Sequence, residues 1–219
     1  MAEEGLREKG VSRFAPPTQP VEINPLTLPA GTTLFRVHRQ QFAGNSFNPA
    51  LSGNARFSPI FSASGAVIPT LYAGESSRVA LCEVIFHDLD LSSPCLSYPV
   101  ALLAGFRHTQ LVTTAALQLA SLDLPSLVKM RAGKKLIHSD ASDYGITRRW
   151  AEAIHHQHPH IQGLAWPSRQ HQGNAWLLFG DRIEPQRVVR ERKTLRITER
   201  PVVEELLALA ERMGIVLDE

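Results

Sequence analysis

The sequence predicts an α+β fold, and three stretches carry the prediction. TLFRVHR at 33–39 alternates apolar and polar residues like a half-buried strand. ESSRVALCEVIFH at 75–87 puts Val79, Ala80, Glu83, Val84 and His87 on related turns of a helix that Ser76 or Ser77 can cap. IQGLAWPS at 161–168 and AWLLFGD at 175–181 read as strands flanking the turn SRQHQGN.

The remaining elements follow in order. Residues 1–30 are charged and then proline-rich, and Pro16, Pro17, Pro20, Pro25 and Pro29 exclude regular helix or a central strand, which makes this an arm laid over a domain spanning 31–219. FAGNSFNPALSGNARFSP at 42–59 has the Gly, Asn, Pro and Ser content of a long functional loop. VIPTLYAG at 67–74 is the second strand candidate, and LSYPVALLAGF and LVTT suggest further strands, the first of them open to a buried helical reading. DLPSLVKMRAG and SDYGITRRWAEAIHHQHP read as helices, the second with Asp140 or Ser142 near its start. Residues 194–219 give a strand-like piece and an amphipathic helix with Val203, Leu206, Leu207, Ala210 and Met213 on its apolar stripe. The chain has no internal repeat.

Composition excludes several function classes. A chain of 219 residues with 43% hydrophobic content can bury a substantial core. Its 23 basic and 21 acidic residues leave a formal charge of +2, too small a field to argue for direct nucleic-acid or membrane binding. No apolar run approaches the roughly 20 residues of a membrane span, and MAEEGLREKG lacks a signal peptide's apolar stretch, so a cytoplasmic location is expected. Cys82 and Cys95 are too few for a disulfide framework, and Cys82 reads as a buried small hydrophobe. His155, His156, His158 and His160 read as a solvated helix end, since no carboxylate or cysteine set completes a ligand group; no metal site is expected.

The chemistry lies in scattered polar islands. Arg36 in LFRVHR, Arg56 in SGNARFSP, Tyr72 and Glu83 in TLYAGESSRVALCEVIFH, and Ser168 in GLAWPSRQHQGNAWLLF form a set suited to a dinucleotide. Arginine forks bind phosphate, a tyrosine offers a ring face, and a carboxylate binds sugar hydroxyls. The Gly-x-Gly-x-x-Gly of a Rossmann fold and the Gly-Lys-Ser/Thr of a P-loop are both missing, so any NAD+ bound here is held by a different architecture and reads as a substrate rather than a hydride-carrying cofactor. His171 shares a loop with Ser168 and Arg169 and joins the candidates.

In this order the islands resemble the RES domain, a family named for its Arg, Glu and Ser and found mainly as bacterial toxins. The resemblance runs from about Thr33 to Arg182. Asn54-Ala55 precede Arg56 and Phe57 follows it, where the family commonly shows Gly-Gly-Arg-Trp.

The resemblance implies a fold similar to ADP-ribosyltransferases, with mixed or antiparallel sheets and flanking helices. It also implies a reaction that breaks the nicotinamide–ribose bond of NAD+. Glu83 would then stabilise the oxocarbenium-like centre and hold the ribose hydroxyls. Arg36 would clamp the pyrophosphate or an acceptor anion, and Arg56 would bind substrate from its loop. Tyr72 would stack on nicotinamide or bond the ribose, and Ser168 would orient the ribose or Glu83. The implied partner is a cognate antitoxin carrying a helix-turn-helix module. The C-terminal helix could dock on its own domain, form a homo-oligomer or meet the antitoxin.

Three functions fit these residues. The first is a toxin that destroys NAD+ by hydrolysis or phosphorolysis, and the second is mono-ADP-ribosylation of a protein target. The third is a nucleotide-sensing or partner-binding module without turnover.

Overall fold

The computed structural model describes residues 14–87, 89, 93–184 and 189–218. In chain order the strands are β1 (Pro25–Leu28), β2 (Thr33–Arg39), β3 (Ile60–Phe61), β4 (Val67–Ile68), β5 (Thr70–Gly74), β6 (Leu96–Pro99), β7 (Phe106–Thr113), β8 (Leu117–Ser121), β9 (Gly163–Pro167), β10 (Asn174–Phe179), β11 (Val189–Arg196) and β12 (Ile215–Asp218). The α-helices are α1 (Ser77–Val84), α2 (Leu124–Lys129), α3 (Lys135–His138), α4 (Tyr144–Gln157) and α5 (Arg200–Met213).

Eight strands make one mixed sheet in the order β1-β8-β9-β10-β5-β2-β7-β11. Its pairs are antiparallel except β8 with β9. Parallel neighbours cannot be joined by a tight turn, and the chain between these two carries α2, α3 and α4. Side chains alternate between the two faces, as β10 illustrates: Ala175, Leu177 and Phe179 enter one core with α2–α4, while Trp176 and Leu178 enter another. That second core is built almost wholly from the sheet's own strands, through Leu34, Leu71, Leu111 and Leu119, because the sheet curls over it. A third core packs α1 against α5 and β12, with Leu81, Cys82, Leu206 and Ile215 inside.

Local chemistry explains the elements that position the cleft. Ser76 caps α1, its Oγ accepting the Val79 amide. VIPTLYAG is not one strand: Pro69 lacks the amide a ladder needs, so Val67–Ile68 pair with β3 and Thr70–Gly74 enter the main sheet. LSYPVALLAGF divides into β6, a 3-10 turn at Val100–Gly105, and the start of β7. The arm's prolines exclude a central strand but not an edge, and β1, beginning at Pro25, sits at one edge of the sheet. Upstream, the Ala15 carbonyl accepts Trp150 Nε1 and the Val21 amide donates to Gln157, which fastens the arm along α4. The charged stretch 1–13 lies outside the described residues.

Two further expectations differ from the structure. The stripe of α5 that packs inward is Val202, Leu206, Leu209 and Ala210, with Met213 at its margin, whereas Val203 is only half-buried and Leu207 is 51% exposed. Starting the stripe one residue early, at Val202, rotates Leu207 to the solvent side. The histidine run is a solvated helix end only in part, since His156 and His160 are exposed. His155 is buried and bonds Asp181 at 2.9 Å, and His156 and His158 reach the carbonyls of Phe61 and Val21.

Candidate functional site

Strands β2, β5, β9 and β10 and helix α1 border a cleft of about 390 Å³. Arg36 comes from β2, Tyr72 from β5, Glu83 from α1, and Arg56 from the loop before β3; all four line it. Ser168 follows β9 and touches Glu83 from outside the lining set. Residues up to 132 positions apart in sequence, Arg36 and Ser168 at the extremes, therefore meet at the junction of β2, β5 and β10.

Proton counting fixes the Glu83–Ser168 contact. Ser168 Oγ lies 2.5 Å from Glu83 Oε1 and also receives the amides of Gln170 and His171 at 3.1 and 3.2 Å. A hydroxyl has one hydrogen and two lone pairs, and both lone pairs are taken by N–H donors. Its hydrogen therefore goes to Glu83, which acts as the acceptor. The surrounding turn is held by Ser168 N donating to Gly173 O, and by Glu75 accepting both the backbone and side-chain nitrogens of Asn174.

The arginines are built in rather than free. Arg36 is 8% exposed and donates through Nη1 to the carbonyls of Gly44 and Ser46 at 2.7 and 2.5 Å. Burial lowers its pKa to about 10, with nearby Glu191 opposing, so it stays cationic at neutral pH. Arg56, equally buried, donates Nε to Ser139 Oγ at 3.2 Å and lies 5.9 Å from the Tyr144 ring. Its pKa is lowered by burial, while Tyr144 and Glu83 pull it back up and Arg169 lowers it further. The loop around it is tied to α4: Thr147 Oγ1 donates to Arg56 O, and Arg148 donates to Ala55 O and Asn54 Oδ1. Tyr72 accepts the Phe57 amide at 3.1 Å, and burial pushes its phenol up to about 12.

Two further arginines line the same cleft. Arg39 lies over the Phe106 ring at 4.1 Å, and Arg169 donates to the carbonyl of Ser139. Among the described residues, four arginines thus face a cleft whose acidic lining residue is Glu83. Such a site suits a polyanion whose reacting centre becomes positive next to one carboxylate. His171 is not part of the lining; its Nδ1 sits 2.9 Å from Gln172 O. The sequence does not mark Arg39 or Tyr144 for the site, and Arg169 stands in it only as a loop neighbour of Ser168 and His171. Arg39 has a readable sign, because it shares the short segment FRVHR with Arg36. Tyr144 has none, because it enters from the start of α4, far away in sequence. No group of three or more His, Cys, Asp or Glu among the described residues is arranged to hold a metal ion. No described helix is long and apolar enough to cross a membrane.

A mixed, curled sheet with helices on its faces, and a cleft lined by four arginines and Glu83, with Ser168 bonded to that glutamate, define an α+β protein with one arginine-rich cleft. The family model described as the RES domain matches residues 33–199, more than half of the chain, and the chain belongs to that family. Among solved structures it is similar to a chain of the M. tuberculosis MbcT-MbcA toxin-antitoxin complex. The two share 19% identity and a TM-score of 0.59, over 83% of this chain and 91% of that one. No curated protein matches the sequence.

Proposed function

We propose that this chain is the toxin of a toxin–antitoxin pair and that its cleft breaks the nicotinamide–ribose bond of NAD+. One observation carries the chemical reading. A carboxylate, Glu83, is held at 2.5 Å by a hydroxyl whose only hydrogen it receives, in a largely apolar cleft that four arginines also line. Membership of the RES family and the likeness to a chain of a toxin-antitoxin complex support the toxin reading.

The residues divide the work. The arginines bind the pyrophosphate, since fork-like donors suit anionic oxygens. The C–N bond between ribose and nicotinamide breaks with its electron pair leaving on the nicotinamide nitrogen, and positive charge builds on the ribose. Glu83 stabilises that charge and, held by Ser168, is already oriented when it appears. Water then gives ADP-ribose and a proton, and phosphate gives the 1″-phosphate of ADP-ribose.

Incubating purified protein with NAD+ and measuring nicotinamide tests the reading. Parallel runs with and without phosphate, and with added proteins, identify the acceptor: free ADP-ribose, its phosphate, or mass added to a protein. No nicotinamide under any of these conditions would return the chain to a nucleotide-binding module. In cells, expression alone should lower NAD+ and arrest growth, and coexpressed antitoxin with a helix-turn-helix module should relieve both.

A further inference from the structure

We propose that Glu191, on the edge strand β11, is the positioning residue for Arg36, acting through Gly44 and a hydrogen-bond chain to His38 that is complete only when the chain holds one shared proton. The inference rests on the reading of the cleft as an NAD+ site. It begins from a notch whose inner side, Arg36 and Gly44, is buried while Glu191 and Thr194 stand exposed at its rim. Arg36 Nη1 donates to Gly44 O at 2.7 Å, and Gly44 N donates to Glu191 Oε2 at 3.0 Å. One peptide residue thus links the arginine of the cleft wall to a carboxylate on the outermost strand. Gly44 is needed there because a Cβ would meet Thr109 Cγ2 at 2.4 Å and Glu191 Oε2 at 2.8 Å.

The other oxygen of Glu191 enters a chain. Thr194 Oγ1 donates to Glu191 Oε1 at 2.5 Å and lies 2.7 Å from Thr109 Oγ1. Thr109 Oγ1 lies 2.8 Å from His38 Nε2, and His38 Nδ1 lies 3.0 Å from Arg39 O. Each threonine has one hydrogen, and the Arg39 carbonyl can only accept. With Glu191 ionised, Thr194 donates to it, Thr109 donates to Thr194, and His38 must supply hydrogens from both ring nitrogens. With His38 neutral, the bonds from its Nε2 to Glu191 all reverse and Glu191 must carry the proton. A neutral histidine facing an ionised glutamate leaves two lone pairs opposed, and one bond opens.

The charged groups around His38 set the pH range. Arg36 and Arg39 share its strand, Arg107 and His108 lie on β7, and Glu191 lies on β11. Burial is the main cause that lowers its pKa below the ordinary 6.5, followed by Arg36; the Arg39 carbonyl and Glu191 oppose, and Arg107 lowers it further. The complete chain therefore belongs to the acid side of 6.5, and rising pH opens it.

Glu191→Gln provides a selective probe. The side-chain amide it introduces can accept the Gly44 N–H with its oxygen and donate its NH2 to Thr194. The chain then runs from that amide through Thr194 and Thr109 to a neutral His38 with no extra proton. Glu191→Ala provides neither end. Two readouts decide the proposal: amide hydrogen exchange over residues 40–47, which needs no substrate, and KM for NAD+ as a function of pH.

Glu191→Ala should speed exchange at 40–47 and raise KM roughly tenfold, with kcat within about twofold of wild type, as for lost ground-state binding. Wild-type KM should climb as pH rises past the His38 titration. Glu191→Gln should keep slow exchange and low KM and flatten that climb. Unchanged exchange and KM in Glu191→Ala, or a wild-type pH slope in Glu191→Gln, would overturn the proposal. If wild type releases no nicotinamide, the NAD+ reading fails by itself, and exchange in the two variants still decides whether Glu191 sets the loop.

Discussion

The hydroxyl of Tyr72 accepts the amide hydrogen of Phe57 at 3.1 Å, so the strand beside Glu83 also fixes the loop that carries Arg56. One contact thereby sets the distance between two walls of the cleft.

Tyr72→Phe tests that contact. The variant leaves the Phe57 amide without its partner, which costs about 1–3 kcal/mol for a buried donor. It should raise KM for NAD+ through a looser Arg56 loop. Because the folded phenol is raised to about 12, folding holds the proton more tightly than the unfolded chain does. That contribution is complete below the ordinary tyrosine value of 10.0 and is lost as pH rises toward about 12. Denaturant titrations across this window should show a falling stability in wild type and a shallower fall in Tyr72→Phe.

Glu83→Gln retains volume and hydrogen-bonding capacity but removes the charge. Turnover should fall by something on the order of 10²–10³, as when a preorganised electrostatic contact is lost. NAD+ affinity by calorimetry should change far less. A normally folded variant with wild-type nicotinamide release would remove Glu83 from the chemistry.

Ser168→Ala separates orientation from charge. Glu83 keeps its carboxylate but loses its hydrogen-bond donor, and the amides of Gln170 and His171 lose their acceptor. Turnover should drop by roughly tenfold, less than for Glu83→Gln, with a modest loss of thermal stability. Equal turnover in wild type and Ser168→Ala would show that Glu83 needs no orienting partner.

Arg36→Ala should weaken NAD+ binding and also destabilise the fold, because the carbonyls of Gly44 and Ser46 lose their buried donor. The sequence alone suggests an affinity effect with folding intact; the two carbonyl contacts add the second effect. Calorimetry and melting curves on Arg36→Ala and Arg56→Ala together rank the two arginines.

Leu206→Ala examines the third core. Leu206 is fully buried between α5 and α1, and truncating it should cost about 2–5 kcal/mol. Urea unfolding should show the loss, and Leu207→Ala should show almost none because its side chain faces solvent.

The parts of the fold legible in the sequence are those governed by local rules. Ser76 announces the start of α1, and Ser168–Asn174 announces the hairpin of β9 and β10 through turn residues between apolar runs. Of β11 only the end from Thr194 reads as strand-like, because VRERK before it is mostly charged at an outer edge, where nothing imposes alternation. β1 hides among prolines that an edge tolerates. Of the candidate residues, Arg36, Arg56, Tyr72 and Glu83 share one cleft, and Ser168 reaches it through Glu83. His171 does not, because its presence in the loop says nothing about which way the ring turns. Arg169 and Tyr144 join because folding brings the start of α4 beside a turn 25 residues further on, a proximity no local pattern encodes.

The strand order also constrains how a ribosome can deliver this protein. β5 lies between β2, made early, and β10, made more than a hundred residues later. While the nascent chain lengthens, Arg36, Arg56, Tyr72 and Glu83 already exist, but Ser168 and the strand that seals β5 do not. A product released early by stalling or nonsense mutation carries most of the chemistry without the wall that aligns it. The cell making the protein therefore meets an assembled cleft only after translation is nearly finished.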